Sequence, residues 1–166
     1  MRFSVTDDSG FLAIYDPDAY RSFVSADWDF GVLRRRFIEE MDERRLLIWG
    51  TGLECTWQIE ISRDAVLTNA FRQITGHIQS SKGRLCLGNY ESLSMAAQFE
   101  DVKLPERHQS ELLFQVPPGD YCCRVLQLND PESDRALDNS TQFVLELTPL
   151  KTSIENWKEI PWFEER

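Results

Sequence analysis

A chain of 166 residues is long enough for one domain and too short for two of ordinary size. Its hydrophobic residues make up 42% of the sequence, which is enough for a core and excludes a globally disordered chain. The 28 acidic and 18 basic residues give a net charge of −10, which disfavours DNA, RNA and anionic lipid as partners and favours basic proteins. The same charge is also consistent with solubility alone.

The sequence also predicts a cellular compartment. Residues 1–5 have no apolar segment typical of a secretory signal, and no apolar run approaches the length that spans a membrane. The four cysteines, Cys55, Cys86, Cys122 and Cys123, contain no Cys-x-x-Cys pair. Two of them, Cys55 and Cys123, occupy alternating apolar positions, where cysteine acts as a small hydrophobic residue. We therefore expect a cytoplasmic protein with four reduced thiols.

The N-terminal part predicts one strand and two helices. Segment 11–15 (FLAIY) is short and apolar and follows a Ser-Gly pair, which indicates a strand after a turn. Asp16 and Pro17 predict a short helix, because aspartate caps free amides and proline suits the first helical position. Leu33, Phe37 and Met41 recur at a spacing of four, which predicts a second helix over residues 29–42 with Asp27 as a candidate cap.

From residue 45 onward the apolar period changes to two, the period of a half-buried strand. The clearest example is segment 55–61, where apolar and polar residues alternate strictly. Residues 90–97 predict a further short helix. Turns are predicted at 80–83 and 117–120, each as a hairpin connection. The predicted strands after the first are 45–49, 55–61, 71–78, 84–87, 112–116, 121–128 and 143–147.

These elements favour a mainly β fold. We expect an antiparallel β-sandwich, or a partly open barrel, of about eight strands with two or three short helices. Residues 1–150 form this single domain. The tail, residues 151–166, is polar but contains Trp157, Ile160, Trp162 and Phe163, so we expect it to pack on the same domain and protect a sheet edge.

The sequence predicts no catalytic residue, no cofactor and no metal. His77 and His108 are the two histidines, and neither has a second ligand at helical spacing. Gly50-Thr51-Gly52 lies between two predicted strands rather than before a helix, so it lacks the context of a phosphate-binding loop. The basic run 34–36 adjoins Glu39 and other acidic residues, and an intrahelical pair of Arg35 with Glu39 explains much of it, which disfavours nucleic-acid binding.

One stretch resembles a known family. Residues 114–121 (FQVPPGDY) resemble the F-x-x-P-x-G-D-Y hairpin of the small bacterial competence-associated nuclease inhibitors, and the Asp27-Trp28 pair resembles one that opens a helix in those proteins. Members of that family are small, acidic and cytoplasmic. The resemblance implies a protein that binds and silences a partner DNA nuclease without catalysis of its own.

The charge and the resemblance together predict a protein-binding inhibitor or immunity-type module with a basic partner such as a nuclease or toxin. The alternative is a β-sandwich that binds a small molecule or carbohydrate, which exposed Trp49, Trp57 or Tyr90 on a concave face would favour. Its oligomeric state is not predicted. The candidate partner-binding residues are acidic and lie in the loop 129–140 and the first turn: Asp130, Glu132, Asp134, Asp138, Asp7 and Asp8.

Overall fold

Nine strands and three short helices make up the fold of the described residues, and the strands dominate from residue 45 onward, as the change of apolar period to two predicts. The computed structural model describes residues 1–133 and 140–165. The strands are β1 (Arg2–Asp7), β2 (Phe11–Tyr15), β3 (Leu46–Gly50), β4 (Cys55–Ser62), β5 (Arg72–Ser80), β6 (Arg84–Asn89), β7 (Leu113–Gln115), β8 (Gly119–Gln127) and β9 (Phe143–Pro149). The helices are α1 (Phe30–Asp42), α2 (Tyr90–Gln98) and a 3₁₀ helix (Arg107–Leu112).

The strands form two sheets, which confirms a mainly β fold. One sheet has five strands in the order β1-β4-β9-β8-β5, and the other has four in the order β3-β2-β6-β7. Neighbouring strands are antiparallel except β4 and β9, which run parallel with Ile59 opposite Phe143. The sequence prediction missed β1, because its segment RFSVTD has few large apolar residues.

The core lies between the two sheets. The Trp49 ring of β3 lies 6.1 Å from the Phe143 ring of β9, and Phe3 of β1 lies 5.6 Å from Phe114 of β7. Every residue of β2 and β3 is buried, because helices cover the outer face of the four-stranded sheet. Strands buried on both faces are continuous apolar runs, which explains FLAIY and LLIWG.

The helix predictions need two corrections. The α1 cap is Asp29, whose carboxylate accepts a hydrogen bond from the Val32 amide at 2.9 Å, so Asp27 is not the cap. The helix predicted at Asp16 is wrong, since residues 17–19 form only a turn and residues 20–25 are irregular. After that turn the chain runs to α2, where the Val24 amide donates a hydrogen bond to the Ala97 carbonyl at 2.9 Å. No helix in the described residues could span a membrane.

The two predicted hairpins are wrong in a related way. The turn at 80–83 joins β5 of one sheet to β6 of the other, and 116–118 likewise joins β7 to β8. Both turns therefore cross from one sheet to the other. The two crossings lie side by side, since the Val116 amide donates to the Gly83 carbonyl at 3.1 Å. Pro117 and Pro118 lack an N–H and cannot extend a ladder, which favours a crossing. Tyr121 secures it by donating its hydroxyl proton to the Pro117 carbonyl at 2.5 Å.

The C-terminal tail runs along the edge of the four-stranded sheet. The Gly50 amide of β3 donates to the Pro161 carbonyl at 2.9 Å, and the Trp157 amide donates to Asp42 at 2.7 Å. Ile160 is only 2% exposed. A Cβ at Gly50 would lie 2.3 Å from the Trp162 carbonyl oxygen, so the close approach of the tail requires glycine there.

Asp7 lies inside the fold and not on its surface. Its side chain is 0% exposed, and one carboxylate oxygen accepts from the amides of Ser9, Gly10 and Phe11 at 2.7–3.0 Å. The other oxygen lies 2.8 Å from the Thr51 hydroxyl and 3.4 Å from the Trp57 indole nitrogen. The carboxylate therefore fixes the β1–β2 turn against the β3–β4 turn.

We predict that Asp7→Asn destabilises the protein by about 1–3 kcal/mol, whereas Asp8→Asn changes stability by less than about 0.5 kcal/mol. An asparagine retains one oxygen, but its NH₂ group would face the Trp57 indole N–H, which can only donate. Asp8 is exposed and is the matched control. Urea unfolding of both variants tests this, and equal midpoints would contradict the structural role of Asp7.

Candidate functional site

The loops at one end of the sandwich enclose a groove of about 830 Å³. They are the β1–β2 turn, the β3–β4 turn, the start of β5, the β8–β9 loop and the end of the tail. These segments meet because β1, β3 and β8 end at the same end of the sandwich where β2, β4 and β5 begin. We call it the acidic groove. Its charged and aromatic lining residues are Phe11, Glu54, Phe71, Arg72, Asp130, Glu132, Trp162, Phe163 and Glu164.

Four carboxylates and one cation are the charges among the described lining residues. Glu54, Asp130, Glu132 and Glu164 are all exposed, and each comes from an irregular segment rather than a strand. Because they are exposed they stay hydrated, so they can meet a cation at little desolvation cost. The groove is therefore a negatively charged surface open to solvent.

Arg72 holds the base of the groove together. Its Nε donates to the Gln127 side-chain oxygen at 2.6 Å, and its guanidinium lies 4.3 Å from the centre of the Trp162 ring. Burial lowers the pKa of Arg72, while the charges of Glu164 and Asp130 act in the opposite direction. The arginine thus ties the tail to β8, with the carboxylates of Glu164 and Asp130 close enough to influence its charge.

Aromatic rings form the rest of the groove. Phe163 stacks on Phe11 with ring centres 5.3 Å apart and also contacts Phe30 at 5.5 Å. Phe71 is 50% exposed. The groove therefore combines aromatic rings with four exposed carboxylates, which we call the acidic rim, and aromatic residues are enriched in protein–protein interfaces.

The structure brings together some of the predicted partner-binding residues. Asp130 and Glu132 line the acidic groove, and the Asp130 carboxylate accepts from the Glu132 amide at 2.9 Å. Asp7 is buried and accepts hydrogen bonds within the fold, so the expectation that it belongs to a surface patch is wrong. Asp134 and Asp138 lie outside the described residues.

Asp8 lies on the neighbouring side of the same turn. It lines a second groove of about 390 Å³ together with the acidic residues Glu91, Glu106 and Glu111. Ser9 of the acidic groove hydrogen-bonds Glu91 of the second groove, so the two grooves adjoin at the β1–β2 turn. The acidic surface consequently extends across this end of the molecule.

Sequence reasoning missed Glu54, Phe71, Trp162 and Glu164 as site residues. The tail sequence Trp162-Phe163-Glu164-Glu165 contains the aromatic–acidic combination, but only the tail's path along β3 shows that it reaches the loop with Asp130. Phe71 is the first residue of the predicted strand 71–78, and nothing in the sequence distinguishes it from a core residue. In the structure it directly precedes β5. These positions could be found only through tertiary structure.

The described residues contain no cluster of His, Cys, Asp or Glu suited to a metal ion. All four cysteines are free. Burial raises the pKa of Cys55 to about 11, with the Asp7 charge adding to the rise, and burial also raises the pKa of Cys86 to about 11. Such thiols are almost wholly protonated at neutral pH and are poor nucleophiles.

We predict that titration with a thiol reagent in the absence of reductant counts four thiols after unfolding. In the native protein at neutral pH, Cys55 and Cys86 should react about a hundredfold more slowly than an exposed cysteine, because the thiolate fraction falls tenfold per pKa unit. A count of two or none after unfolding would show that disulfides form.

We predict that Arg72→Ala loosens the tail. Trypsin should cleave after Lys158 about tenfold faster, since the variant loses a charged hydrogen bond and a cation–π contact that resist local opening. Arg63→Ala is the matched control, because Arg63 is exposed and lies 5.3 Å from the Tyr121 ring, away from the tail. Mass spectrometry measures the rate of cleavage after Lys158. Equal rates for the two variants would contradict the role of Arg72.

Comparison with known proteins gives a likeness of fold. The sequence matches no protein-family model and no curated protein. The structure is similar to one titled "Crocagin biosynthetic gene J", with a TM-score of 0.60 and 17% identity over 90% of this chain and 96% of that chain. It is also similar to ComJ from Bacillus subtilis, an inhibitor of the DNA degrading activity of NucA, with a TM-score of 0.54 and 10% identity over the same shares of the two chains. The resemblance to the competence-associated nuclease inhibitors is therefore confirmed at the level of fold.

Proposed function

We propose that this chain is a non-enzymatic, cytoplasmic protein-binding module of the inhibitor or immunity type, whose partner is a basic protein such as a nuclease or toxin. The main support is the acidic groove, which is lined by four exposed carboxylates and four aromatic side chains. The similarity of fold to ComJ, itself an inhibitor of a nuclease activity, gives separate support.

The physical reason is charge complementarity. A nuclease holds a polyanion and therefore presents a basic active-site surface. A protein with a net charge of −10 and exposed carboxylates around the acidic groove can be steered toward that surface in a productive orientation. Complementary charges accelerate such encounters and disfavour wrong partners.

The basic run at 34–36 does not oppose this proposal. Arg36 donates to the carbonyls of Arg21 and Phe23 at 3.1 and 3.0 Å, and it lies 3.7 Å from Glu39. Arg34 lies 5.9 Å from the centre of the Phe163 ring. Two of the three arginines thus make contacts within the protein, which supports the expectation that nucleic acid is not the partner.

The alternative, a small-molecule or carbohydrate site, has less support. Trp49 and Trp57 are 0% and 1% exposed, so neither can form a platform for a sugar. Tyr90 packs on Phe11 with ring centres 5.6 Å apart. Trp162 does line the groove, but the Arg72 guanidinium covers one face of its ring.

Affinity capture from the source cell with the full chain as bait tests the proposal. The expected result is enrichment of a basic nuclease or toxin. The purified partner is then assayed for its own activity, plasmid degradation in the case of a nuclease, with and without stoichiometric protein. Unchanged activity of every captured partner would overturn the inhibitor proposal. Binding of a carbohydrate or metabolite in its place would favour the alternative.

We predict that Asp130→Asn, Glu132→Gln and Glu164→Gln together slow association with that partner at least about tenfold at about 0.1 M salt, because long-range steering is lost. Dissociation should change little. The amide side chains keep the shapes of the originals and one of the two acceptor oxygens. Stopped-flow or surface plasmon resonance gives both rates.

The matched control removes three exposed acidic charges elsewhere, with Asp64→Asn, Asp101→Asn and Glu155→Gln. It leaves the same net charge as the groove variant, so a difference between the two isolates the position of the charges. At about 1 M salt the association rate of the wild type should fall toward that of the groove variant. A groove variant that associates at the wild-type rate at low salt would show the groove to be ordinary solvated surface.

A further inference from the structure

Phe71 is an aromatic side chain that the fold leaves half exposed within the acidic groove. Its ring is 50% exposed, while its amide donates to the Gln127 carbonyl at 2.8 Å. The backbone is thus fixed to β8 and the ring remains accessible. Single exposed apolar residues are common on protein surfaces. Phe71 differs because exposed carboxylates from three other segments line the same groove.

Three of the four aromatic rings that line the groove, those of Phe71, Trp162 and Phe163, have an arginine neighbour from this chain. The Arg72 guanidinium lies 4.3 Å from the centre of the Trp162 ring and 5.8 Å from that of Phe71. Arg34 lies 5.9 Å from the Phe163 ring. The groove is therefore an environment in which guanidinium groups stack on rings, near carboxylates that balance their charge. Half of the Phe71 side chain remains accessible to a partner.

We propose that Phe71 and the rim carboxylates Asp130, Glu132 and Glu164 receive an arginine side chain of the partner protein. This rests on the proposed function and specifies the chemistry of its partner. An arginine fits better than a lysine, because its flat guanidinium stacks on a ring and donates in a plane to carboxylates at the same time. Basic proteins that hold polyanions present such arginines on their surfaces.

The probe is N-acetyl-arginine amide, and N-acetyl-citrulline amide is its neutral, nearly isosteric control. Titration of isotope-labelled protein is followed by ¹H–¹⁵N NMR. The arginine probe should shift the amides of Phe71, Glu132 and Glu164, and the citrulline probe should bind at least about tenfold more weakly, since it lacks the charge. Shifts that are absent, or confined to residues outside the groove, would overturn the proposal.

A matched pair of variants isolates the ring. Phe71→Ala should weaken the arginine probe about two- to fivefold, the range expected for an exposed cation–π contact. Phe99→Ala removes a ring that is 45% exposed and does not line the groove, so it should leave binding unchanged. Equal effects of the two variants would show that Phe71 is not the receptor.

The two proposals fail in different ways. If the arginine probe binds at Phe71 but no captured protein is inhibited, the groove recognises arginine and the inhibitor function is wrong. If a partner is inhibited but Phe71→Ala leaves its dissociation rate unchanged, the function stands and this inference is wrong.

Discussion

The buried carboxylate of Asp7 holds together the end of the protein that carries the acidic groove. Removing an anion from water costs several kcal/mol, so it is stable inside only because donors surround it. Three backbone amides of the β1–β2 turn, the Thr51 hydroxyl and the Trp57 indole provide them. These donors come from three separate segments, so the carboxylate can be satisfied only when both turns occupy their native positions. The groove walls depend on that arrangement.

A polar network continues from this anion to the groove. The Gln127 amide group donates to the Thr51 carbonyl at 2.9 Å, and its oxygen accepts from Arg72 at 2.6 Å. Arg72 then stacks on Trp162 of the tail. Each member orients the next, so the tail, which has no regular secondary structure, still has a defined place. Glu164 is thus carried by a tail that this network orients, and preorganisation of this kind lowers the entropic cost of binding.

The sequence predicted the elements that depend on local periodicity and failed where tertiary contacts decide. Segment 55–61 alternates strictly and is a strand, and α1 follows from the spacing of Leu33, Phe37 and Met41. The crossings at 80–83 and 116–118 look like hairpins locally, and only sheet membership distinguishes them. Asp7 resembles a solvated acid in sequence because its donors lie 2 to 50 residues away. Asp130 and Glu132 were predicted because loop acidity is visible in sequence, whereas Phe71 and Glu164 join them only through folding.

The comparison with ComJ is informative about the scaffold and not about the contacts. Two proteins can share a fold at 10% identity because many sequences satisfy its requirements for alternating burial and core volume. Binding side chains on connecting segments are under no such restriction, and one fold can therefore serve different partners. The acidic groove is built almost entirely from such segments, so its charge is a property of this chain rather than of the fold. Under the proposed function, specificity would come from the pairing of exposed carboxylates with the accessible Phe71 ring, because a different loop sequence would lose that pairing while keeping the fold.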